Sequence, residues 1–473
     1  MKKTIYITCP TGRRIFGMTI LACLSCFFVN ETFAKQVEAS TAKKTAENFL
    51  YSNAKISSAE LNLSYTEKSQ SGDADFFIFD INNHSGFIII SADDAVRPVI
   101  GYSTEKSFVK PSATSNPNFN FWMEGRKSEI EFARNNNIQA DEKIKNEWYG
   151  YSANKITPPI INTVQPLCDA EWGQQSPYND LCPQGALVGC VATAMAEIMR
   201  KWNYPTTGTG SSSYNSNNYG QQSANYGATT YNWSAMTTPM CMGSNNDVAT
   251  IMYHCGVSVQ MDYGTSVSLA MLCCSNPSAK YAFPTYFGYD PGIQYKDQST
   301  MTTASWISLL ETEFNAGRPV MYQGVDPNGG GHGWVADGYD ASDMMHMNWG
   351  WDGQANGYYD VNNVSPSGTG LNFTQYLAVL ANIHPASATS AEEISSESSI
   401  SVYPNPSSDF FVLNSEWKNC SVKIFDVTGN LVKDFSNINQ FPFTMEKGNI
   451  SSGMYFLELK SENKTDRIKL LIQ

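Results

Sequence analysis

In the stretch LVGCVATAMAEIMRKWNYP, residues 187–205, Val191, Met195, Ile198 and Trp202 recur at spacings of four, three and four. That recurrence lines one stripe of a helix, and such a helix is stable only when the stripe is buried against another element. Cys190 precedes the stripe and stands off it, where the helix should begin. A free cysteine in a core behaves as a small apolar side chain. At a helix N-terminus the unpaired N–H groups and the dipole instead stabilise a thiolate, lowering its pKa below the free value of about 8.5. The offset admits this second role.

The surface that could bury the stripe lies downstream. RPVMYQGV, HGWVADGYD and MMHMNWGW read as short strands separated by Gly-containing turns. A cysteine-bearing helix packed on an antiparallel sheet is therefore expected in residues 156–387, the largest unit of an α+β chain. Within it, residues 208–231, GTGSSSYNSNNYGQQSANYGATTY, lack either period and read as a long surface loop. Residues 35–155 read as a smaller α+β unit. A polar helix near Thr41–Tyr51 is followed by the alternating run DFFIFDIN and by GFIIISADDAVRPVIGY, two strands that the turn NNHSG joins into a hairpin packed on the helix. The polar, Lys-containing stretch from Lys143 to Thr157 reads as an exposed junction open to proteases, which bounds a processing site to about residues 143–158. Residues 388–399 are a Ser/Glu-rich linker, and residues 400–473 show short alternating strands that fit a small β-sandwich.

The first 34 residues combine Lys2, Lys3, Arg13 and Arg14 with an apolar run from Ile15 to Val29 and the small-x-small ending Thr32-Phe33-Ala34. They read as a secretory signal cleaved after Ala34, because the run is shorter than the roughly 20 residues of a bilayer span. No transmembrane segment is expected elsewhere. The net charge is −13, and residues 156–387 hold five Lys+Arg against sixteen Asp+Glu. Such a surface excludes nucleic acid as a partner, since phosphate contacts require clustered cations. Export permits disulfides, but seven of the eleven cysteines lie between Cys168 and Cys274, an odd number that leaves at least one thiol free or paired elsewhere. No pair of Cys-x-x-Cys motifs occurs, and no metal or cofactor is implied.

Any histidine-dependent chemistry must use His84, His254, His332, His346 or His384. His332 sits in GGGHGW, where the glycines let a substrate backbone approach closely. A thiolate that attacks a peptide carbonyl also needs hydrogen-bond donors where the oxyanion forms. The Cys190 N–H can supply one, and WGQQSPYN offers Gln174 or Gln175 for the other. HMNWGWDG places Asn348 and Trp349 a strand length after His332, where an adjacent antiparallel strand could present them to the ring. Trp351 reads equally well as a core aromatic.

The blocks WGQQSPYNDLCP, GCVATAMAEIMRKWNYP and GGGHGWVADGYDASDMMHMNWGWDGQANGYYDVNNVSP together resemble the streptopain family of secreted papain-like cysteine peptidases, in the family's order and over about 200 residues. They are similar to Bacteroidetes members of that family, which include the interpain-type enzymes. The resemblance implies a papain-like two-subdomain peptidase with Cys190 as nucleophile and His332 as general base and acid. Gln174 would then be the oxyanion donor, Trp349 the holder of the histidine, and Asn348 the counterpart of the orienting Asn of papain. Gly331, Ser266 and Ser268 would line the substrate cleft, the last two in the loop VQMDYGTSVS. Residues 35–155 resemble the family's inhibitory propeptide, which folds against the catalytic domain and disturbs the Cys-His pair until it is removed. The last 75 residues look like a type IX secretion sorting domain, read by outer-membrane machinery. The partners so implied are protein or peptide substrates, the chain's own propeptide and that machinery, with a final location outside the cell or on its surface. Two other readings stay open: a surface binding protein that keeps the fold without catalysis, and a Cys-His amidase or transglutaminase-like acyl transferase. The joint presence of Cys190, His332, Gln174 and Trp349 speaks against the first.

Overall fold

A computed structural model describes residues 35–56, 58–108, 116–153, 163–237, 245–325, 331–361 and 377–386, and all of 400–472 except 404, 406, 408, 416, 427–429 and 462–464. The signal segment, the linker, Cys241 and residues 154–158 of the junction lie outside the described residues. The chain divides into two compact units, residues 1–387 and 388–473.

The first unit begins with α1 (Ala39–Ser52), β1 (Leu61–Lys68), β2 (Ala74–Ile81), β3 (Gly86–Ser91), β4 (Val99–Ser103), α2 (Pro117–Asn135) and α3 (Glu142–Ala153). The expected hairpin is β2–β3, paired antiparallel from Phe76↔Ser91 to Ile81↔Gly86. Its tip holds Asn82, Asn83 and His84 at φ of 48°, 53° and 70°, a left-handed path that Asn and His tolerate better than most residues. Every residue of β2 is buried. Phe77 and Phe79 pack with Phe49 of α1 and Trp148 of α3, whereas Phe76 and Ile78 pack with Trp122 and Ile130 of α2. Cover on both faces explains why DFFIFDI is apolar throughout rather than half polar. The supposed exposed junction is in part α3, which buries Trp148 and Tyr151 and donates Trp148 Nε1 to Val96 O at 2.8 Å. Its polar composition describes only the outer face.

The rest of this unit comprises α4 (Cys190–Trp202), β5 (Ser211–Ser216), β6 (Gly220–Asn225), α5 (Asn246–Ser258), α6 (Ala279–Phe287), β7 (Gln294–Asp297), α7 (Thr303–Asn315), β8 (Val320–Val325), β9 (Gly331–Tyr339), β10 (Met345–Asn348), β11 (Gly357–Tyr359) and β12 (Ala378–Ala381). The Cys-bearing helix lies on the sheet as expected, its Val191, Met195 and Ile198 sharing a core with Met321, Val335 and Leu380. That sheet does not stop at the peptidase portion. Its order is β1-β2-β3-β4-β11-β10-β9-β8-β12-β7, and β4 joins β11 through Tyr102↔Tyr358 and Gly101↔Tyr359. The two α+β portions thus share one hydrogen-bonded sheet.

Residues 208–231 depart from the expected loop, because β5 and β6 pair in register from Ser211↔Asn225 to Ser216↔Gly220. The buried positions of this hairpin are Ser216, Gln222 and Ala224, and its tyrosines spend their hydroxyls internally. Tyr214 donates to Met261 O at 2.5 Å, and Tyr226 shares a hydrogen bond of 2.7 Å with Ser212. A strand whose inner face is built from Ser, Gln and Ala leaves no apolar period to detect. Among the described cysteines, Cys273 and Cys274 are joined to each other, and Cys168, Cys182, Cys190, Cys255 and Cys420 are free. No helix among the described residues is long and apolar enough to cross a membrane.

The second unit is the expected small β-sandwich. One sheet holds β13 (Ile400–Tyr403), β14 (Phe410–Ser415) and β17 (Phe443–Glu446); the other holds β15 (Cys420–Asp426), β16 (Leu431–Ile438), β18 (Gly453–Lys460) and β19 (Thr465–Ile472). Phe411 and Leu413 of the first sheet share a core with Val422, Ile424, Leu457 and Leu459 of the second.

Candidate active site

Cys190 is the first residue of α4, and the chain reaches it through Gly189 at φ 92°. A Cβ at Gly189 would also fall 2.6 Å from the Met261 side chain, so the approach requires glycine for both conformation and room. This approach is clamped on two sides: Val188 N–H donates to Gln174 O and Leu187 N–H to Gly264 O, each at 3.0 Å. Burial pushes the half-buried Cys190 thiol above its ordinary pKa, and the N–H groups of Gly333, Val191 and Cys190 itself act in the opposite direction.

His332 is the second residue of β9, opposite Gly324 of β8. Its Nδ1 lies 3.1 Å from Oδ1 of Asn118, a residue of α2 in the first α+β portion. Asn118 Nδ2 donates to Gly333 O at 2.9 Å and to Trp349 O at 2.7 Å. With the amide nitrogen so committed, Oδ1 is the acceptor and His332 Nδ1 the donor. One turn along α2, the Phe121 ring sits 4.9 Å from the imidazole, centroid to centroid. Gly324 makes its seat, because a Cβ there would fall 2.1 Å from Phe121. Asn116 caps this helix by accepting from Phe119 N–H, and Pro117 takes the first turn, where no backbone donor is needed.

The other expected residues divide into those drawn to the site and those used as scaffold. Gln174 is buried beside the approach to Cys190, and Gln175 is exposed. Trp349 is fully buried, donates Nε1 to Ala355 O at 2.9 Å and packs on Trp334 at 5.3 Å, so it forms the floor beneath the Asn118 contact. Asn348 departs from its expected place as the ring's orienting partner. Its amide donates to Ala170 O at 2.6 Å and accepts from Gly350 N–H and Asn356 Nδ2, while Asn118 meets the ring. Ser268 is buried and braces its own loop, donating to Leu187 O at 2.8 Å and accepting Gly264 N–H at 3.0 Å. Ser266 is exposed on that loop, and Gly331 opens β9 with nothing within 4 Å of where its Cβ would be. Trp351 is buried.

Sequence reasoning missed Asn118 and Phe121 altogether. The Asn116-Pro117 pair marks a helix start, but nothing in NPNFNFW singles out the asparagine that meets a histidine 214 residues later. Among the described residues no group of three or more His, Cys, Asp or Glu is arranged to hold a metal.

Residues 172–359 match the profile described as the Peptidase C10 family, residues 34–130 that of the Spi protease inhibitor, and residues 401–473 that of a secretion system C-terminal sorting domain. The chain is 29% identical over 422 residues to the thiol protease/hemagglutinin PrtT of Porphyromonas gingivalis, which covers 83% of this chain and 47% of that protein. It therefore spans about half of that relative's length. Streptopain of Streptococcus pyogenes is 29% identical over 396 residues, 76% of this chain and 94% of streptopain. Among solved structures, a fragment of Prevotella intermedia prointerpain A with a cysteine-to-alanine substitution is 28% identical, with a TM-score of 0.56 over 69% of this chain and 99% of that one.

Proposed function

Because the chain belongs to the Peptidase C10 family, we propose that it is an exported cysteine endopeptidase made as a latent precursor, with residues 35–155 as inhibitor and 156–387 as peptidase. The observation that carries this reading is the Asn118–His332 contact, in which a side chain of the inhibitor segment occupies the imidazole while Cys190 heads α4 nearby in the same fold. In the precursor the thiol is held neutral by burial and the histidine is engaged, so neither can act. After the inhibitor is removed, the Cys190 thiol passes its proton to His332, the resulting thiolate attacks the scissile carbonyl, and the Cys190 N–H with the Gln174 side chain binds the oxyanion. His332 protonates the leaving amine and then takes a proton from the water that hydrolyses the acyl-enzyme. Trp349 supports the histidine from below, Asn348 braces that support, and Ser268 holds the loop that presents Ser266 towards substrate; Gly331 leaves the mouth of the cleft open. The substrates are proteins or peptides, and the sorting domain directs the enzyme through the outer-membrane secretion machinery to the cell surface or the medium.

Replacing the nucleophile tests the reading. Cys190→Ala is expected to abolish casein hydrolysis and to leave the purified precursor uncleaved, whereas self-processing at the normal rate would sink the assignment. Titration of the processed enzyme with an epoxide inhibitor of cysteine peptidases separates the alternatives. Stoichiometric labelling with cleavage marks a peptidase, and labelling without cleavage an acyl transferase; neither marks a binding protein.

A further inference from the structure

Three segments lie about Cys190: the run that ends at Gln174, α4 itself, and the end of β10, where Asn348 is followed by Trp349. One buried carboxyl meets all three. Glu197 follows Cys190 by seven residues on α4, so it shares the same face of the helix about 10 Å further along the axis. It is fully buried. Its Oε1 accepts the N–H of Trp172, two residues before Gln174, at 3.1 Å. The Asn348 side chain faces the same carboxyl, and through Asn356, whose Oδ1 accepts Trp349 N–H at 3.0 Å, the network reaches the Trp349 backbone. Oε2 makes no hydrogen bond among the described residues, and a Cβ at Gly350 would stand 4.0 Å from it.

The charged surroundings do not favour a carboxylate. Asp337 of β9, itself 2.6 Å from His346 Nδ1, and Glu171 beside Trp172, itself paired with Lys106, face it with the same sign, and burial pushes up the half-buried Cys168 and the buried Tyr178 nearby. The cations of the last turn of α4 are committed elsewhere, Arg200 to Asp169 and Asn203, and Lys201 to Gly317 O. Burial pushes the Glu197 carboxyl well above its ordinary range; the Trp172 N–H and Asn348 oppose the shift and Asp337 adds to it. A carboxylic acid in this position keeps an acceptor for Trp172 and carries no charge to desolvate.

We propose that Glu197 is a positioning residue of the peptidase site, a buried carboxyl that ties the Gln174 segment to the Cys190 helix through the Trp172 N–H. It never touches substrate and acts by fixing where the Gln174 oxyanion donor stands. The inference rests on the roles given above to Cys190 and Gln174.

The test compares Glu197→Gln and Glu197→Leu in the full chain, processed in trans by wild-type enzyme, with melting curves recorded in the uncleaved Cys190→Ala background. Glutamine keeps the length, the acceptor and the neutrality. Its kcat is expected within about threefold of wild type, whereas leucine strands the Trp172 N–H and lowers kcat about 10- to 100-fold with little change in KM, the scale of a displaced oxyanion donor. The melting temperature of Glu197→Gln should gain on that of the parent as pH rises from about 5 to 8, because only the parent must retain a proton that the unfolded chain releases. The proposal is overturned if glutamine is as slow as leucine, if leucine leaves kcat unchanged, if glutamine prevents folding, or if the melting difference does not vary with pH. Should leucine prevent folding, the two glutamine arms still decide. Failure of the preceding reading is distinguishable: the wild-type enzyme would then lack Cys190-dependent activity, and the melting arm would still decide the state of Glu197.

Discussion

Asn118→Ala should unlock the precursor without touching the peptidase portion. The substitution deletes three hydrogen bonds across the inhibitor contact: to His332 Nδ1 at 3.1 Å, to Gly333 O at 2.9 Å and to Trp349 O at 2.7 Å. Asn118 is fully buried, so water does not replace these bonds while the helix stays seated. At a net contribution of about 1 kcal/mol each, their loss weakens the closed state by about 3 kcal/mol. Since about 1.4 kcal/mol corresponds to a tenfold change, the open fraction of the precursor rises roughly a hundredfold. Labelling of Cys190 by an epoxide inhibitor reads that fraction directly when intact precursor is followed by mass spectrometry before cleavage begins. A variant that labels at the wild-type rate would refute the idea that this asparagine holds the site shut.

Gly324→Ala places a methyl group 2.1 Å from Phe121, against a ring whose helix must then lift. Overpacking of that kind costs about 1–3 kcal/mol, so precursor labelling should quicken by about 5- to 150-fold. Arg97, with hydrogen bonds of 2.9 Å to Glu147 and 2.8 Å to Asp360, ties the inhibitor portion to the end of β11. Arg97→Ala leaves both carboxylates without that cation, and the same labelling assay should report a precursor loosened by about 3 kcal/mol. His254 is buried on α5, with Nδ1 2.9 Å from the Tyr231 hydroxyl, and burial pushes its pKa down to about 4. A histidine depressed in the fold binds fewer protons than in the unfolded chain, so stability falls as pH drops from about 6.5 to about 4, by about 3 kcal/mol. In the Cys190→Ala background, His254→Gln should therefore show a shallower loss of melting temperature over that window; an identical slope would show that His254 does not titrate there.

Much of the architecture is legible in the chain because it is written in local periods. The stripe of Val191, Met195, Ile198 and Trp202 gives α4, and its offset puts Cys190 at the helix start. The strands around RPVMYQGV and HGWVADGYD follow from their apolar runs and turns, as does the sandwich of residues 400–472. The hairpin of β5 and β6 was illegible because its inward side chains are Ser, Gln and Ala, which hydropathy cannot distinguish from a solvated loop. Asn348 ends β10, but which of several buried acceptors its amide meets depends on segments the strand does not contain.

The sequence by itself determined the helix that begins at Cys190, the β2–β3 hairpin, the strands around RPVMYQGV and HGWVADGYD, and the seat of Cys190 at a helix N-terminus, since each is fixed by spacing within a few residues. Only the tertiary structure decided that the sheet of the first α+β portion continues into that of the second through β4 and β11, that Asn118 meets His332, and that buried Glu197 accepts the Trp172 N–H. Those are pairings between residues far apart in the chain. A buried polar atom takes whichever partner packing brings to it, and no local period carries that information.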